Sequence, residues 1–141
     1  MTPLHLYMGR WQITRKDAPA GSKPDDLKND CAQLGRYFVC QQTVNGTPGN
    51  LLIVVAANTA GHYYTQNVTP QGRALGLGQL EISGDKWVFT SSWNQGSKTT
   101  RYRTTNTWNG KDRIHFEQQE SDDDGKTWRT TSAGDEVRVG H

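Results

Sequence analysis

Long apolar runs are missing from the chain. The longest, Leu51 to Ala57, falls far short of the roughly 20 residues that a membrane-spanning helix needs, so we predict no membrane span. Only 33% of the residues are hydrophobic, which leaves too little apolar surface for long buried helices. Five Trp, five Tyr and three Phe nevertheless place a large apolar area in few positions, which is enough for a modest core.

An excess of charge of one sign is also missing. The chain has 16 Lys and Arg against 14 Asp and Glu, and the basic residues are spread along it, while the acidic ones gather mainly at 117–124 and 135–136. Nucleic-acid binding requires a one-sided basic surface, so we expect no nucleic-acid partner. The segment 1–5 has no basic region followed by an apolar one, so no secretory signal is predicted. The chain either stays inside the cell or is a mature form.

Glycine, by contrast, is abundant and divides the chain into short segments. Fifteen Gly residues, usually beside Asn, Asp or Ser, separate pieces of about five to ten residues rich in Thr, Val, Tyr, Trp and Ile. This spacing predicts an all-β fold: a single antiparallel up-and-down β-barrel of about ten strands, with residues 1–141 as one domain. The segment 17–30 is predicted to be the one long loop. The predicted strands are 6–14, 31–34, 37–44, 51–57, 62–68, 74–82, 86–93, 98–108, 111–119 and 127–138.

The dipeptide Gly84-Asp85 predicts a two-residue turn, which fixes the register of the strands on either side. As a type II′ turn it places Ile82 opposite Trp87 and Leu80 opposite Phe89. Both apolar pairs then lie on one face, and the residues between them form a mainly polar opposite face. This alternation is typical of a half-buried sheet.

A second turn is predicted at Asn109-Gly110, the preferred type I′ pair. It would place Thr105 opposite Ile114 and Arg103 opposite Phe116. If the apolar partners face inward, Arg101 and Arg103 face inward beside them. Buried guanidinium groups need acceptors, so either interior Glu, Asp or water satisfies them, or the cavity receives a carboxylate, a phosphate or a polar ligand.

The third predicted turn, Gly35-Arg36, concerns the two cysteines. As a type II′ turn it places Cys31 opposite Cys40 in a non-hydrogen-bonded pair, with Cα atoms about 4.5 Å apart, a distance that a disulfide spans. The bridge would stabilise the fold by roughly 2–3 kcal/mol. A helix from Pro24 to Leu34, ended by Gly35, is the competing interpretation, and two free thiols in a reducing cytosol are a third.

The redox state of the cysteines bears on localisation. A bonded pair predicts a periplasmic or secreted protein from which a signal peptide was removed, because structural disulfides persist in oxidising compartments. Free thiols predict a cytoplasmic protein.

Two local motifs are similar to motifs of known families. Gly9-Arg10-Trp11 resembles the G-x-W signature of lipocalins and other calycins, in which the Trp closes one end of the barrel under a basic side chain from the last strand. Arg138 is the candidate for that partner, through a cation–π contact. The segment 121–128, Ser-Asp-Asp-Asp-Gly-Lys-Thr-Trp, resembles the Asp-box of sialidases and other β-propellers, which implies a structural turn and no sialidase chemistry.

The order of these motifs along residues 8–138 resembles a bacterial family of small lipocalin-like proteins with no assigned activity. The resemblance implies a calycin-type barrel. It implies no catalytic or binding residue, because the family has none assigned.

Sequence motifs for catalysis and cofactors are not found. The chain has no G-x-S-x-G, P-loop, H-E-x-x-H or C-x-x-C motif, and its four His residues, at 5, 62, 115 and 141, are isolated. We therefore predict no metal and no cofactor. Asp122, Asp123 and Asp124 have too few further oxygen ligands nearby for Ca²⁺. Ten-stranded haem-binding barrels exist, but the features that distinguish them are absent here.

Three classes of function stay open. The leading hypothesis is a binding module, monomeric or a small homo-oligomer, that holds an apolar or amphipathic small molecule, anionic ones included. Its candidate residues are Trp87, Trp93 and Phe116 on the barrel wall and Arg101 and Arg103 as polar anchors. One alternative is a barrel enzyme, such as an isomerase, cyclase or hydrolase, with an interior acid or base. The other is a filled barrel that contacts proteins.

Overall fold

A computed structural model describes residues 2–140, in which ten antiparallel strands close into a barrel. The predicted all-β fold is thereby confirmed. Consecutive strands are neighbours throughout, and β1 pairs with β10 to complete the circle. The strands are β1 Gly9–Arg15, β2 Asp25–Leu34, β3 Tyr37–Val44, β4 Thr47–Ala56, β5 His62–Val68, β6 Gly78–Ser83, β7 Lys86–Gln95, β8 Lys98–Trp108, β9 Arg113–Ser121 and β10 Arg129–Gly140.

A short 3₁₀ helix, Thr2–Tyr7, precedes β1 and covers one end of the barrel. Its Leu4 is 3% exposed within the core. The indole of Trp11 and the amide of Asn29 both donate hydrogen bonds to the backbone carbonyl of Tyr7, at 3.2 and 3.0 Å. The helix therefore acts as a floor, and the opposite end of the barrel is the open one.

Two of the three predicted registers are confirmed. Across Gly84-Asp85, Leu80 pairs with Phe89 and Ile82 with Trp87. Across Gly35-Arg36, Cys31 pairs with Cys40. The cysteines form a disulfide with a Cα–Cα distance of 4.1 Å. A single positive φ, at Gly84 and at Gly35, is what a type II′ turn requires.

The prediction of a loop over 17–30 is wrong in its second half, and so is the alternative of a helix over 24–34. Strand β2 begins at Asp25. Its inward side chains, Leu27, Asn29 and Cys31, alternate with outward charged ones in a period of two. The first part of the strand was not predicted because its outward residues are charged and its inner face has only one large apolar residue, Leu27.

No helix within residues 2–140 is long and apolar enough to cross a membrane.

The outer surface of the barrel is electrically uneven. Between Arg36 and Arg73 the sequence contains no Asp, Glu, Lys or Arg, and this segment forms β3, β4 and β5. Its outward side chains include Tyr37 and Tyr64, each about half exposed, in one cross-strand row with Val55. All Asp, Glu, Lys and Arg residues therefore lie on the other strands and their loops.

Candidate functional site

The barrel encloses a cavity of about 370 Å³ between its floor and its open end. Both polar and apolar side chains line it. The apolar residues are Ile13, Leu27, Val44, Leu52, Phe89 and Phe116, and the polar ones include Tyr7, Arg15, Gln42, Thr65, Asn67, Tyr102, Thr104, Asn106, Gln118 and Glu136. The volume falls within the range of small-molecule sites in proteins, about 300–1,000 Å³.

Three indoles form the packed layer beneath the cavity. Trp11 meets Trp108 edge-on with ring centroids 5.7 Å apart, and Trp87 lies 5.0 Å from Trp108. Trp87, predicted to line the ligand site, is 3% exposed and belongs to this layer. Trp87 therefore packs beneath the floor of the cavity and does not line its wall.

The predicted contact between the first and last strands is present at the same end. The guanidinium of Arg138 lies 4.3 Å from the centroid of the Trp11 ring, which is itself fully buried. It donates hydrogen bonds to the carbonyls of Met8 (2.5 Å), Lys111 (3.0 Å) and Leu6, and pairs with Asp112 at 2.9 Å. Arg138 thus ties β10, the 3₁₀ helix and the β8–β9 loop together.

Glu136 is the notable side chain of the cavity. It lies on β10 between Ile13 of β1 and Ile114 of β9, and is 4% exposed. Within residues 2–140 its carboxyl group has no hydrogen-bond or salt-bridge partner in the protein, and its oxygens open onto the cavity. Burial raises its pKa from 4.5 to about 7, and Arg15 only partly offsets this effect.

Tyr7, at the end of the 3₁₀ helix, lines the same cavity as Glu136. Burial raises the pKa of its phenol well above the ordinary 10, and the nearby Glu136 raises it further, while Asn29 and Gln42 act in the opposite direction. The phenol is therefore a permanent neutral hydrogen-bonding group on the cavity floor.

Arg15 is the arginine of the cavity. It follows Trp11 and Ile13 on the inner face of β1 and reaches the open end, where its guanidinium lies 5.8 Å from the Phe116 ring centroid. It is paired with Asp25 at 3.4 Å and donates to Ser132 at 3.2 Å. The alternation of side chains from Trp11 places Arg15 on the inner face of β1, although Arg15 was not among the predicted site residues.

The predicted register at Asn109-Gly110 is wrong, and with it the inward placement of Arg101 and Arg103. Arg103 pairs with Gln119 instead of Phe116, a shift of three residues. Because side chains alternate along a strand, an odd shift reverses the face of every side chain relative to the partner strand. Both arginines lie on the outer face, and Tyr102 points toward the cavity.

On the outside, the two arginines hold the loop that follows β9. Arg101 forms a salt bridge with Asp124 at 2.6 Å, and Arg103 lies 4.1 Å from the Trp128 ring centroid while donating to Gln119 at 3.0 Å. These contacts are structural, so the two arginines offer no anchor inside the cavity.

The Asp-box-like loop folds as a turn held by its own side chains. Ser121 donates to Asp123 at 2.8 Å and accepts from the Gly125 amide at 2.9 Å. The amide and hydroxyl of Thr127 donate to Asp123, and these bonds lower the pKa of that carboxyl to about 2. The Trp128 indole donates to the Gly125 carbonyl at 3.1 Å. This loop lies outside the cavity.

The remaining predicted residues divide between the cavity wall and the mouth. Phe116, 5% exposed, lines the cavity. Trp93 and Tyr102 lie at the open end, each a little over a third exposed, where they line an adjoining hollow that also contacts Leu75. Two aromatic side chains, on the adjacent strands β7 and β8, therefore lie on one side of the entrance.

The histidines stand apart from the cavity. His115 faces outward between Asp135 and Glu117, and the hydrogen bond to Asp135 is the main reason that its pKa is raised. His5 lies against Phe38 at 5.0 Å, and His62 pairs with Glu81 across β5 and β6. Among residues 2–140 no three His, Cys, Asp or Glu side chains are grouped as metal ligands. His141 lies outside the described residues.

A larger hollow of about 850 Å³ lies beside the 3₁₀ helix and β2. Among its charged lining residues, Arg10 pairs with Asp26 at 3.1 Å, and Lys28 pairs with Asp30 at 3.4 Å. Its buried ionisable side chain, Arg138, is already bonded to Asp112 and to three backbone carbonyls. The barrel interior is therefore the better candidate site.

Replacing Glu136 with glutamine should make the protein more stable at alkaline pH. The native carboxyl keeps its proton to about pH 7, whereas the unfolded one releases it near pH 4.5, so stability falls as the pH rises between these values. The shift corresponds to about 3 kcal/mol at about 1.4 kcal/mol per pKa unit. Urea unfolding across this range measures it, with Glu81→Gln on the outer face as control. Parallel pH profiles for wild type and Glu136→Gln would contradict the expectation.

No protein-family model matches the chain, and no curated protein is similar to it in sequence. A solved structure, that of Rv2717c from M. tuberculosis, is similar in fold, with a TM-score of 0.57 and 14% sequence identity. The similarity covers 98% of this chain and 96% of that chain. At this level of identity it supports the barrel fold alone.

Proposed function

We propose that the protein binds a small molecule inside the barrel, as a lipocalin-like binding module. The observation that carries the proposal is the buried carboxyl of Glu136, which faces the cavity without a protein partner. Buried polar groups in folded proteins are normally hydrogen-bonded. A ligand that contacts Glu136 would supply the missing partner.

The shape and lining of the cavity also support binding. A volume of about 370 Å³ is in the range of small-molecule sites, and the cavity wall offers a ligand both apolar surface and many polar groups. Trp93 and Tyr102 at the mouth provide apolar surface along which a ligand could enter. The closure of the other end by the 3₁₀ helix and the Arg138–Trp11 contact parallels the G-x-W arrangement of lipocalins.

The disulfide supports a location outside the reducing cytosol. Cys31 and Cys40 form a cross-strand bridge, and structural disulfides persist mainly in the periplasm and outside the cell. We therefore place the binding function in the periplasm or the extracellular space.

The proposal is tested by blocking the cavity. Thr104 lines it, whereas the adjacent Thr105 points outward. The uncharged fluorescent probe N-phenyl-1-naphthylamine should bind wild type and Thr105→Trp, and Thr104→Trp should lose at least about tenfold in affinity, since an indole fills much of the space. Arg103→Leu should bind as wild type does, because Arg103 lies outside.

Two outcomes would overturn the proposal. One is equal binding by the Thr104→Trp and Thr105→Trp variants, which would place the probe elsewhere. The other is the absence of probe binding to wild type together with native mass spectra that show no co-purifying mass.

A second candidate function is proton transfer within the same cavity. A carboxyl with a pKa of about 7, in the same cavity as a neutral phenol, has the ionisation that a general acid or base needs near neutral pH. Deuterium exchange into an enolisable aromatic ketone, followed by NMR, tests it. Exchange that depends on Glu136 and rises with a midpoint near pH 7 would support an enzyme, and exchange at the uncatalysed rate would exclude this chemistry for that substrate class.

A further inference from the structure

Glu136 has no positively charged side chain paired with it among the described residues. Arg15 is the only basic side chain on the cavity wall among the described residues. It lies over Phe116, pairs with Asp25 at 3.4 Å and donates to Ser132 at 3.2 Å. Its guanidinium does not come within salt-bridge distance of Glu136. The one strong positive charge nearby is thus committed to other partners.

The elements packed around Glu136 supply no other charge. Ile13 and Arg15 face it from β1, Ile114 and Phe116 from β9, and Tyr7 from the 3₁₀ helix. Of these only Tyr7 and Arg15 can titrate, and Tyr7 stays neutral at physiological pH. An ionised Glu136 would be a buried charge between the apolar side chains of Ile13 and Ile114, which costs several kcal/mol unless a cation pairs with it.

The adjacent walls have a definite chemistry. Phe89 and Phe116 present aromatic surface, and Leu52 adds aliphatic surface. Flat rings pack well on such walls, since aromatic pairs favour offset or edge-on contact. The site therefore combines one carboxyl group with an apolar surface on which an aromatic ring can pack.

We propose that the ligand class is an aromatic amine cation: its protonated nitrogen donates to the Glu136 carboxylate while its ring packs against Phe89 and Phe116. The proposal rests on the function proposed above and specifies the ligand for that site. Binding restores the buried ion pair that the protein alone lacks. Charge-assisted hydrogen bonds of this kind are the strong ones in proteins.

The test compares two probes that share a ring and differ in terminal charge, tryptamine and indole-3-propionate. Calorimetry on the intact disulfide-bonded protein should show that tryptamine binds and that indole-3-propionate binds at least about tenfold more weakly. Glu136→Gln should reduce tryptamine binding by about tenfold or more. The outer-face variant Glu81→Gln should leave it unchanged.

Binding should also depend on pH with a predictable sign. Tryptamine stays protonated throughout, so only the carboxylate changes its charge, and affinity should fall about tenfold per pH unit below pH 7 and level off above it. The slope should vanish in Glu136→Gln, because glutamine does not titrate.

Failure of this proposal can be distinguished from failure of the binding function. If N-phenyl-1-naphthylamine binds in the cavity but tryptamine binds no better than indole-3-propionate, or binds Glu136→Gln equally well, the amine assignment is overturned and the binding function stands. If tryptamine does not bind wild type even at millimolar concentration, the amine assignment is likewise overturned. If the uncharged probe also fails and native mass spectra show no co-purifying mass, both proposals are overturned.

Discussion

Replacing Gly134 with alanine should destabilise the barrel by about 4 kcal/mol or more, because overpacking against backbone leaves no side chain to move aside. Gly134 lies on β10 opposite Arg15 of β1 and Phe116 of β9. A Cβ at this position would overlap the carbonyl oxygen of Thr14 and lie 3.0 Å from both the Arg15 Cα and the Phe116 ring. The strand pair that closes the barrel would have to separate.

The matched control is on the same strand. A Cβ added at Gly140 meets nothing nearer than Arg10 side-chain atoms at 3.9 Å, so Gly140→Ala should change stability by less than about 1 kcal/mol. Urea unfolding followed by tryptophan fluorescence compares the two variants. Equal midpoints for Gly134→Ala and wild type would show that β1 and β10 do not approach as closely as described.

Replacing Arg138 with leucine should cost about 4 kcal/mol, since it removes a buried charged donor and leaves its acceptors unsatisfied. The side chain is 8% exposed, forms a salt bridge with Asp112 and donates hydrogen bonds to three backbone carbonyls. Its guanidinium also makes a cation–π contact with the Trp11 ring. The loss should release the 3₁₀ helix from the barrel floor. Near-ultraviolet circular dichroism should weaken as the indole of Trp11 loses its fixed surroundings.

Two further variants separate charge from geometry. Arg138→Lys keeps the positive charge but lacks the planar fork that reaches several carbonyls at once, so it should recover only part of the stability. Arg113→Leu, at the exposed start of β9, should be nearly neutral. If Arg138→Leu unfolded at the same urea concentration as Arg113→Leu, the closing role of Arg138 would be refuted.

Turn chemistry predicted the strand register correctly at two of the three turns. At Gly84 and Gly35 one glycine with positive φ satisfied the turn, and the partner strands followed. At Asn109-Gly110 a type I′ turn needs positive φ at both residues, but only Gly110 has it. Arg138 draws the Lys111 carbonyl and the Asp112 carboxylate toward itself. This tertiary contact outweighs the local preference and lengthens the loop to 109–112.

The cavity was less predictable than the barrel because its polar residues resemble surface residues in sequence. Asp135 and Glu136 stand side by side, and only one of them faces inward. The contact between Trp11 and Arg138, followed back by a period of two, places Glu136 inside, and the same period on β1 places Arg15 there. The raised pKa of Glu136 results from its burial without a partner. That burial depends on contacts among three strands and a helix, and these elements are far apart in the sequence.

The uncharged segment between Arg36 and Arg73 makes the distribution of charge around the barrel asymmetric. Its whole complement of fixed charge is carried by β1, β2, β6 to β10 and their connections. Dissolved salt screens interactions between charges, and the β3–β5 side has no fixed charge to be screened. Raising the ionic strength will therefore weaken electrostatic contacts made by the other side of the barrel, whereas contacts made by the β3–β5 side have no such electrostatic part to lose.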